Sequence, residues 1–91
     1  MSTLHIHRHP TFTAHFNKRI LPNKNLLARF TQRVNYFASN PGHPLLHDHP
    51  LKGVMENQRS FSITGNIRII YRYLDDENIL FVDIGSHNQV Y

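Results

Sequence analysis

Residues 59–73 read RSFSITGNIRIIYRY, and this stretch decides the fold. Its first part alternates Phe61 and Ile63 with serines, which is typical of a strand buried on one face. The Thr-Gly-Asn that follows indicates a tight turn, and the β-branched and aromatic residues after it favour a second strand. The stretch therefore predicts an antiparallel hairpin with strands at 59–63 and 67–73.

Two further segments extend the hairpin towards the C-terminus. The polar run 74–78 predicts another turn, and the nearly continuous apolar run Ile79–Ile84 predicts a central strand. Gly85 and Ser86 are expected to end that strand. We expect His87–Tyr91 to form a short tail or an edge strand.

The chain before the hairpin predicts one strand and two helices. Thr3–His7 alternates apolar and polar residues, as a half-buried strand does. Pro10 suits the first turn of a helix, and apolar residues at four-residue spacing continue that helix. A second amphipathic helix is expected from Asn23 or Asn25 up to an Asn-Pro-Gly breaker, with a loop rich in His and Pro after it.

The order of these elements indicates the fold class. A strand, two helices and three or four antiparallel strands suggest an α+β domain, in which a helical hairpin packs on one face of a twisted, mainly antiparallel sheet of about four strands. The 91 residues, 40% of them hydrophobic, suffice for one core but not for two. We therefore expect residues 1–91 to form one domain.

Composition narrows the class of protein. The chain has no Cys, which excludes disulfides and thiolate zinc sites. No apolar run approaches the ~20 residues that span a bilayer. The first ten residues also lack the apolar stretch of a signal peptide. We expect a soluble, cytoplasmic protein with no membrane partner.

The charge of +4 is unevenly distributed. Residues 1–47 contain six Lys or Arg side chains and no acid, while all six acids lie between Asp48 and Asp83. A basic domain of this kind suits a polyanionic partner such as RNA, or an acidic protein.

Histidine is abundant, with eight in the chain. His5, His7 and His9 alternate, so one strand face presents all three imidazoles either to a metal ion or simply to solvent. Solvent is the better interpretation because no acid or Cys is near in sequence, and we expect neither a metal nor a cofactor. His49 differs, because it lies in a loop immediately before the predicted sheet, and loops often carry function.

Cleavage of RNA by internal transesterification fits the side chains of the C-terminal half. Imidazoles such as His49 and His87 can serve as general base and acid. A guanidinium such as Arg68 suits the charge that develops on phosphate, although a strand Arg can also be solvated or paired with an Asp. Tyr91 can stack on an unpaired base.

Four stretches in the C-terminal half resemble the RelE/ParE superfamily of toxins, and specifically its YafQ branch. They are His49–Gly53, Arg59–Phe61, Ile67–Arg72 and Ile84–Tyr91. The resemblance implies a RelE/ParE-like fold and a toxin of a type II toxin–antitoxin system. It also implies metal-independent cleavage of mRNA on the ribosome.

The resemblance also assigns roles to residues. It implies acid–base roles for His49 and His87 and contact of Arg68 with the scissile phosphate. These three residues are therefore the predicted catalytic set.

The resemblance also implies a set of substrate-binding residues. It assigns Tyr91 the role of the terminal aromatic of the site. Ser62 and Asn66 stand where the YafQ branch has a further His and an Asp. Lys52 and Arg59 are then expected to supply positive charge, as Lys and Arg do in RelE.

The resemblance leaves two other functions open. ParE-type relatives inhibit DNA gyrase, and a catalytically silent relative only binds an antitoxin. In each case the resemblance implies an antitoxin protein that wraps the toxin, with operator DNA bound only through that complex. The basic side chains of Lys24, Arg29 and Arg33 are candidates for the antitoxin-covered surface.

Overall fold

A five-stranded sheet is the centre of the fold. The computed structural model describes residues 3–53 and 57–91. In chain order its elements are β1 (His5–Arg8), α1 (Pro10–Arg19), α2 (Lys24–Ser39), β2 (His49–Pro50), β3 (Arg59–Ser62), β4 (Ile67–Tyr73), β5 (Asn78–Ser86) and α3 (His87–Val90), with a single 3₁₀ turn at Pro44–Leu46. The strands lie side by side in the order β1-β5-β4-β3-β2, and β1 runs parallel to β5 while the other pairs are antiparallel.

The two long helices begin close to where the sequence predicts. The His9 side chain caps α1 by accepting a hydrogen bond from the Thr11 backbone at 3.0 Å, and Pro10 follows it. Asn23 caps α2 by accepting from two backbone N–H groups. The longer helix, α2, has 16 residues. Within the described parts of the chain, no helix is long and apolar enough to cross a bilayer.

The core lies between these helices and one face of the sheet. Phe37 of α2 stacks on Phe61 of β3 with ring centroids 4.4 Å apart, and its ring meets Tyr71 of β4 edge-on at 4.7 Å. All three side chains are fully buried. Burial of such a ring contributes about 1.5–3 kcal/mol relative to exposure. The apolar stripe of α2 and the alternating apolar residues of β3 therefore pack against each other, whereas Phe12 of α1 packs against Phe81 of β5.

The strand register divides the sheet into two faces. Residues directly opposite each other in antiparallel strands point to the same side. Phe61, Ile69 and Ile84 are aligned across β3, β4 and β5, and all belong to the core. Their neighbours Ser62, Arg68 and Gly85 are aligned in the same way and point to the side away from the core, here called the open face.

The end of the chain differs from the prediction of a tail or edge strand. Residues 84–86 stay in β5, because Gly85 and Ser86 pair with β4. His87–Val90 then forms the helix α3. Its start is held by Gln89, whose side-chain oxygen accepts from the Ser86 backbone N–H at 2.7 Å. With Val90 only 8% exposed, burial also favours the helix.

The strand count also differs slightly, five instead of about four. The additional strand is β2, a two-residue segment within the predicted loop. His49 pairs with Ser60 and Pro50 with Arg59. A Pro cannot donate to the ladder, which suits it to an edge strand.

Helix α1 covers the part of β5 that β1 leaves unpaired. The β1–β5 pairing ends at Phe81. Beyond it, Arg19 donates to the Ile84 carbonyl at 2.8 Å, and His15 contacts Asp83 at 2.5 Å. The His15 side chain is thus half-buried against the Asp83 carboxylate.

Candidate active site

The open face gathers residues that are far apart in sequence. Strand pairing aligns His49 with Ser60, and Ser62 with Arg68. His49 therefore points to the same side as Arg68, two strands away, which puts their backbones on the order of 10 Å apart. Both side chains therefore face the same side of the sheet.

A backbone contact fixes the tautomer of His49. Its Nδ1 lies 2.9 Å from the carbonyl oxygen of His47. A carbonyl only accepts, so Nδ1 is the donor and carries the proton. The neutral ring therefore keeps its unprotonated nitrogen at Nε2. Because His49 is exposed, that nitrogen is accessible to a substrate.

The residue before His49 anchors the same loop to the other side of the sheet. Asp48 accepts hydrogen bonds from the Tyr71 hydroxyl and, at 3.0 Å, from Arg59 Nε. Its side chain is only 10% exposed. Burial, and then the hydrogen bond to Asp48, raise the pKa of Tyr71 far above its usual value, so Tyr71 stays a neutral donor. The network fixes the backbone from which His49 projects.

Arg59 belongs to this anchor, although the sequence analysis placed it in the substrate-binding set. It lies opposite Tyr71 in the register and therefore points away from His49 and Arg68. Burial opposes its charge, but hydrogen bonds and the Asp48 carboxylate raise the pKa of Arg59 above its usual value. The structure does not bring Arg59 together with the open-face residues, and a substrate contact by it stays a prediction.

Lys52, the other predicted source of positive charge, is exposed two residues after β2. It follows the strand that carries His49, so its backbone stays near that edge of the sheet. Its role in binding substrate also stays a prediction.

Arg68 is held in place on the open face. Its Nη1 donates to the Ser62 hydroxyl at 3.2 Å. Its Nε is buried and has no hydrogen-bond partner among residues 3–53 and 57–91. The Ser62 hydroxyl thus orients the guanidinium.

Gly85 brings α3 onto the open face. A Cβ at this position would lie 2.6 Å from Arg19 Nη1 and 2.7 Å from the Gln89 side-chain oxygen. Since Gly85 is aligned with Arg68, the proximity of Gln89 shows that α3 lies on the side to which Arg68 points. Any larger residue at this position would have to displace the Arg19 and Gln89 side chains.

The last two predicted site residues lie at the two ends of α3: His87 begins the helix and Tyr91 follows it directly. The ring of Tyr91 meets the His87 ring edge-on with centroids 4.5 Å apart. Both side chains are exposed. The predicted set therefore divides in two: His49 and Arg68 project from strands of the open face, and His87 and Tyr91 lie at the two ends of the helix beside it.

The sequence analysis missed a pocket next to Arg68. A cavity of about 440 Å³ lies where α2 approaches the β3–β4 turn, and Arg29, Arg33 and Arg68 line it together with His47. The sequence did contain a signal, because Arg29 and Arg33 are four residues apart and so share one side of a helix.

Two of the three N-terminal histidines, His7 and His9, make structural hydrogen bonds. His9 caps α1, and His7 Nε2 hydrogen-bonds to the Asn78 side chain at 2.9 Å. In the described residues, no group of three or more His, Cys, Asp or Glu side chains is arranged to hold a metal ion.

Comparison with known protein families shows to which family the chain belongs. Residues 4–91 match the model of a family described as "Bacterial toxin of type II toxin-antitoxin system, YafQ". The chain belongs to the YafQ family. As a YafQ-family protein it is the toxin of a type II toxin–antitoxin system, which confirms the resemblance seen in its C-terminal half and extends it to the N-terminal half.

Solved structures show the same fold as this YafQ-family chain. YafQ from E. coli strain BL21(DE3) has a TM-score of 0.80 at 18% identity, covering 97% of this chain and 98% of that one. The E. coli DinJ-YafQ toxin-antitoxin complex gives 0.79 at 18% identity with 98% of both chains covered. A YoeB/ParE toxin from Agrobacterium tumefaciens gives 0.77 at 16% identity, covering 92% of this chain and 99% of that one. No curated protein sequence matches. These structures confirm the predicted α+β, RelE/ParE-like fold.

Proposed function

We propose that this toxin is a ribosome-dependent endoribonuclease that cleaves mRNA by metal-independent acid–base transesterification. The observation that carries the proposal is the His49 imidazole, whose unprotonated Nε2 is exposed on the same face as the anchored guanidinium of Arg68. A base and a phosphate clamp on one face are what the first step of the reaction needs.

In the proposed reaction His49 acts as the base. Its Nε2 takes the proton of a ribose 2′-hydroxyl while the 2′-oxygen attacks the adjacent phosphorus. Arg68 stabilises the charge that develops on the phosphoryl oxygens, and its position is fixed before substrate binds because Ser62 accepts from it. Such preorganised donors require little rearrangement during the reaction.

His87 acts as the acid in the second part of the reaction. The bond from phosphorus to the 5′-oxygen breaks, and His87 protonates that oxygen, which leaves a 2′,3′-cyclic phosphate on the upstream fragment. The exposed Tyr91 ring beside His87 stacks on a base next to the cut, which contributes ~1–3 kcal/mol. Lys52 adds positive charge at the β2 edge.

The proposed partners are an antitoxin and mRNA on the ribosome, in the cytoplasm. E. coli YafQ is in complex with DinJ in its toxin-antitoxin structure, and a cognate antitoxin with acidic and apolar segments suits the basic surface of this chain. Operator DNA is then contacted only through the toxin–antitoxin complex.

The test is induced expression of the wild-type toxin and of His49→Ala and His87→Ala variants. Primer extension on cellular mRNA then measures the cuts. Losing a general acid or base lowers the cleavage rate by about 10²- to 10⁴-fold, so both variants should permit growth. The exposed His5 on β1 supplies the control, His5→Ala, which should cut as the wild type does.

Three results would overturn the proposal. If the His87→Ala variant were fully toxic, His87 would not be the general acid. DNA damage without mRNA cuts, unaffected by His49→Ala, indicates a gyrase inhibitor of the ParE type. No growth arrest by the wild type indicates a silent relative.

A further inference from the structure

The pocket between α2 and the β3–β4 turn concentrates positive charge. Arg29 and Arg33 extend from one side of α2, with Cβ atoms about 6 Å apart, as in any i, i+4 pair. Arg68 joins them from β4. Thr64 and Gly65 of the turn close the opposite wall. The cavity of about 440 Å³ has room for a phosphate with its attached sugar.

Two of the three guanidinium groups are held by hydrogen bonds that leave their charge uncompensated. Arg33 Nη1 donates to the Leu45 carbonyl at 2.9 Å, and Arg68 Nη1 donates to the Ser62 hydroxyl at 3.2 Å. In the described part of the chain the Nε atoms of both are buried without a hydrogen-bond partner. The Leu45 carbonyl and the Ser62 hydroxyl are both neutral, so the two guanidinium groups are held in place without losing their positive charge.

No acid among the described lining residues neutralises this charge. The two acids that contact other elements are occupied elsewhere: Asp48 pairs with Arg59, and Asp83 pairs with His15 and Arg19. Like charges at i, i+4 destabilise a helix. A bound anion would offset that repulsion, and guanidinium groups suit phosphate oxygens geometrically.

We propose that the pocket is a second phosphate-binding subsite for RNA, separate from the position of the scissile phosphate. This proposal rests on the proposed nuclease function and adds Arg29 and Arg33 as binding residues. RNA is favoured over an acidic protein segment because Arg68 borders both the pocket and the His49 face, so one strand can occupy both. Leu45 at the rim is 48% exposed and offers an apolar contact for a sugar or base.

The test measures binding of an eight-nucleotide single-stranded RNA with 2′-O-methyl riboses, which the toxin cannot cleave. Fluorescence anisotropy compares the wild type with Arg29→Gln and with the double variant Arg29→Gln/Arg33→Gln. The double variant should bind about tenfold more weakly or worse, because charge-assisted hydrogen bonds are lost. Loss of one phosphate contact should also reduce the salt slope of log K by about 0.7.

The matched control is Lys18→Gln/Lys24→Gln, which removes the same charge from exposed helix positions outside the pocket. It should weaken binding by no more than about threefold. Arg29→Gln alone keeps the test sound if the double variant misfolds, since Arg29 makes no hydrogen bond to the described residues. An equal effect of the control and the pocket variants would refute the subsite.

Parallel measurements identify the ligand. Weaker binding of the free oligonucleotide places the phosphate on the strand that is cut. Weaker binding of ribosomes alone places it on ribosomal RNA, and both results support an RNA subsite. If the double variant binds an octaglutamate peptide more weakly but binds RNA normally, an acidic protein segment is the ligand and the proposal is wrong.

Failure of the subsite is distinguishable from failure of the nuclease function. A wild type that cuts mRNA, with pocket variants that bind RNA like the control, retains the nuclease and refutes the subsite. A wild type that binds RNA through the pocket but never cuts it supports the subsite and refutes the nuclease.

Discussion

Replacing Tyr71 with Phe removes one hydrogen bond from the anchor below His49. The Tyr71 hydroxyl donates to Asp48, whose side chain is only 10% exposed. The lost bond costs about 1–3 kcal/mol when it leaves a buried acceptor without its donor. Because Asp48 keeps the bond from Arg59, we expect the free energy of unfolding to fall by about 1.5 kcal/mol. For a domain of this size, that lowers Tm by about 8 °C.

The same substitution changes how stability depends on pH. Burial, followed by the contact with Asp48, raises the pKa of Tyr71 in the folded state. Above about pH 10, an unfolded Tyr loses its proton while folded Tyr71 retains it. The unfolded state then binds fewer protons, so stability falls as pH rises, by about 1.4 kcal/mol per pH unit from this group alone. The Tyr71→Phe variant has no hydroxyl to titrate at this position and loses that slope.

Urea unfolding at pH 7, 9, 10 and 11 measures both effects. The free energy of unfolding of Tyr71→Phe should lie below the wild-type value at pH 7 and approach it between pH 10 and pH 11. The exposed Tyr73 supplies the control, since Tyr73→Phe should retain the wild-type slope. Equal slopes for Tyr71→Phe and the wild type would refute the conclusion that Tyr71 is a buried neutral donor.

Two further predictions concern the ends of β5. Gly85→Ala should lower the free energy of unfolding by about 1–3 kcal/mol, because the added Cβ displaces Arg19 and Gln89, whereas Gly65→Ala, with open space around it, should change it little in the same urea titration. Hydrogen bonds from the Glu77 backbone, the Asn78 side chain and the Asn78 backbone lower the pKa of Asp75 in the folded state. The ionised Asp75 therefore stabilises the fold above its unfolded-state pKa near 3.9, and this stabilisation is lost as the pH falls through its folded-state pKa. Thermal unfolding between pH 2 and pH 6 should therefore show a shallower acid-induced fall in Tm for Asp75→Asn than for the wild type, and parallel curves would contradict this.

The fold was largely predictable because its signals are local. The alternation around Phe61, the start of α1 at Pro10, the Asn23 cap and the breaker after α2 each depend on a few neighbouring residues. The end of the chain was not predictable in this way. Whether residues 87–90 form a helix or a strand depends on burial of Val90 and on the contact between Gln89 and Ser86, which the Gly-Ser pair alone does not indicate.

The candidate site was predictable as a set of residue types, but not as an arrangement. The resemblance selected His49, Arg68 and His87, and the register then placed His49 and Arg68 on one face. Arg59 lies on the other face of the sheet from Arg68, and its partner Asp48 is eleven positions away, so residue type alone did not indicate where its side chain lies. The convergence of α2 with the β3–β4 turn depends on tertiary packing, so the spacing of Arg29 and Arg33 indicates a shared side of a helix but not the pocket that Arg68 completes.

The arginines of the strands and helices fall into two groups, those that contact an acidic side chain and those that do not. Arg59 and Arg19 each contact a carboxylate that also contacts a third side chain, Tyr71 or His15, so these pairs tie neighbouring elements together. Arg68 contacts only a neutral hydroxyl in the described residues. A guanidinium held without a counter-charge stabilises the fold less than a paired one does, because burial of its Nε goes uncompensated. Its charge is instead available to an anion, which is why the proposed phosphate contacts lie around Arg68 rather than around Arg59.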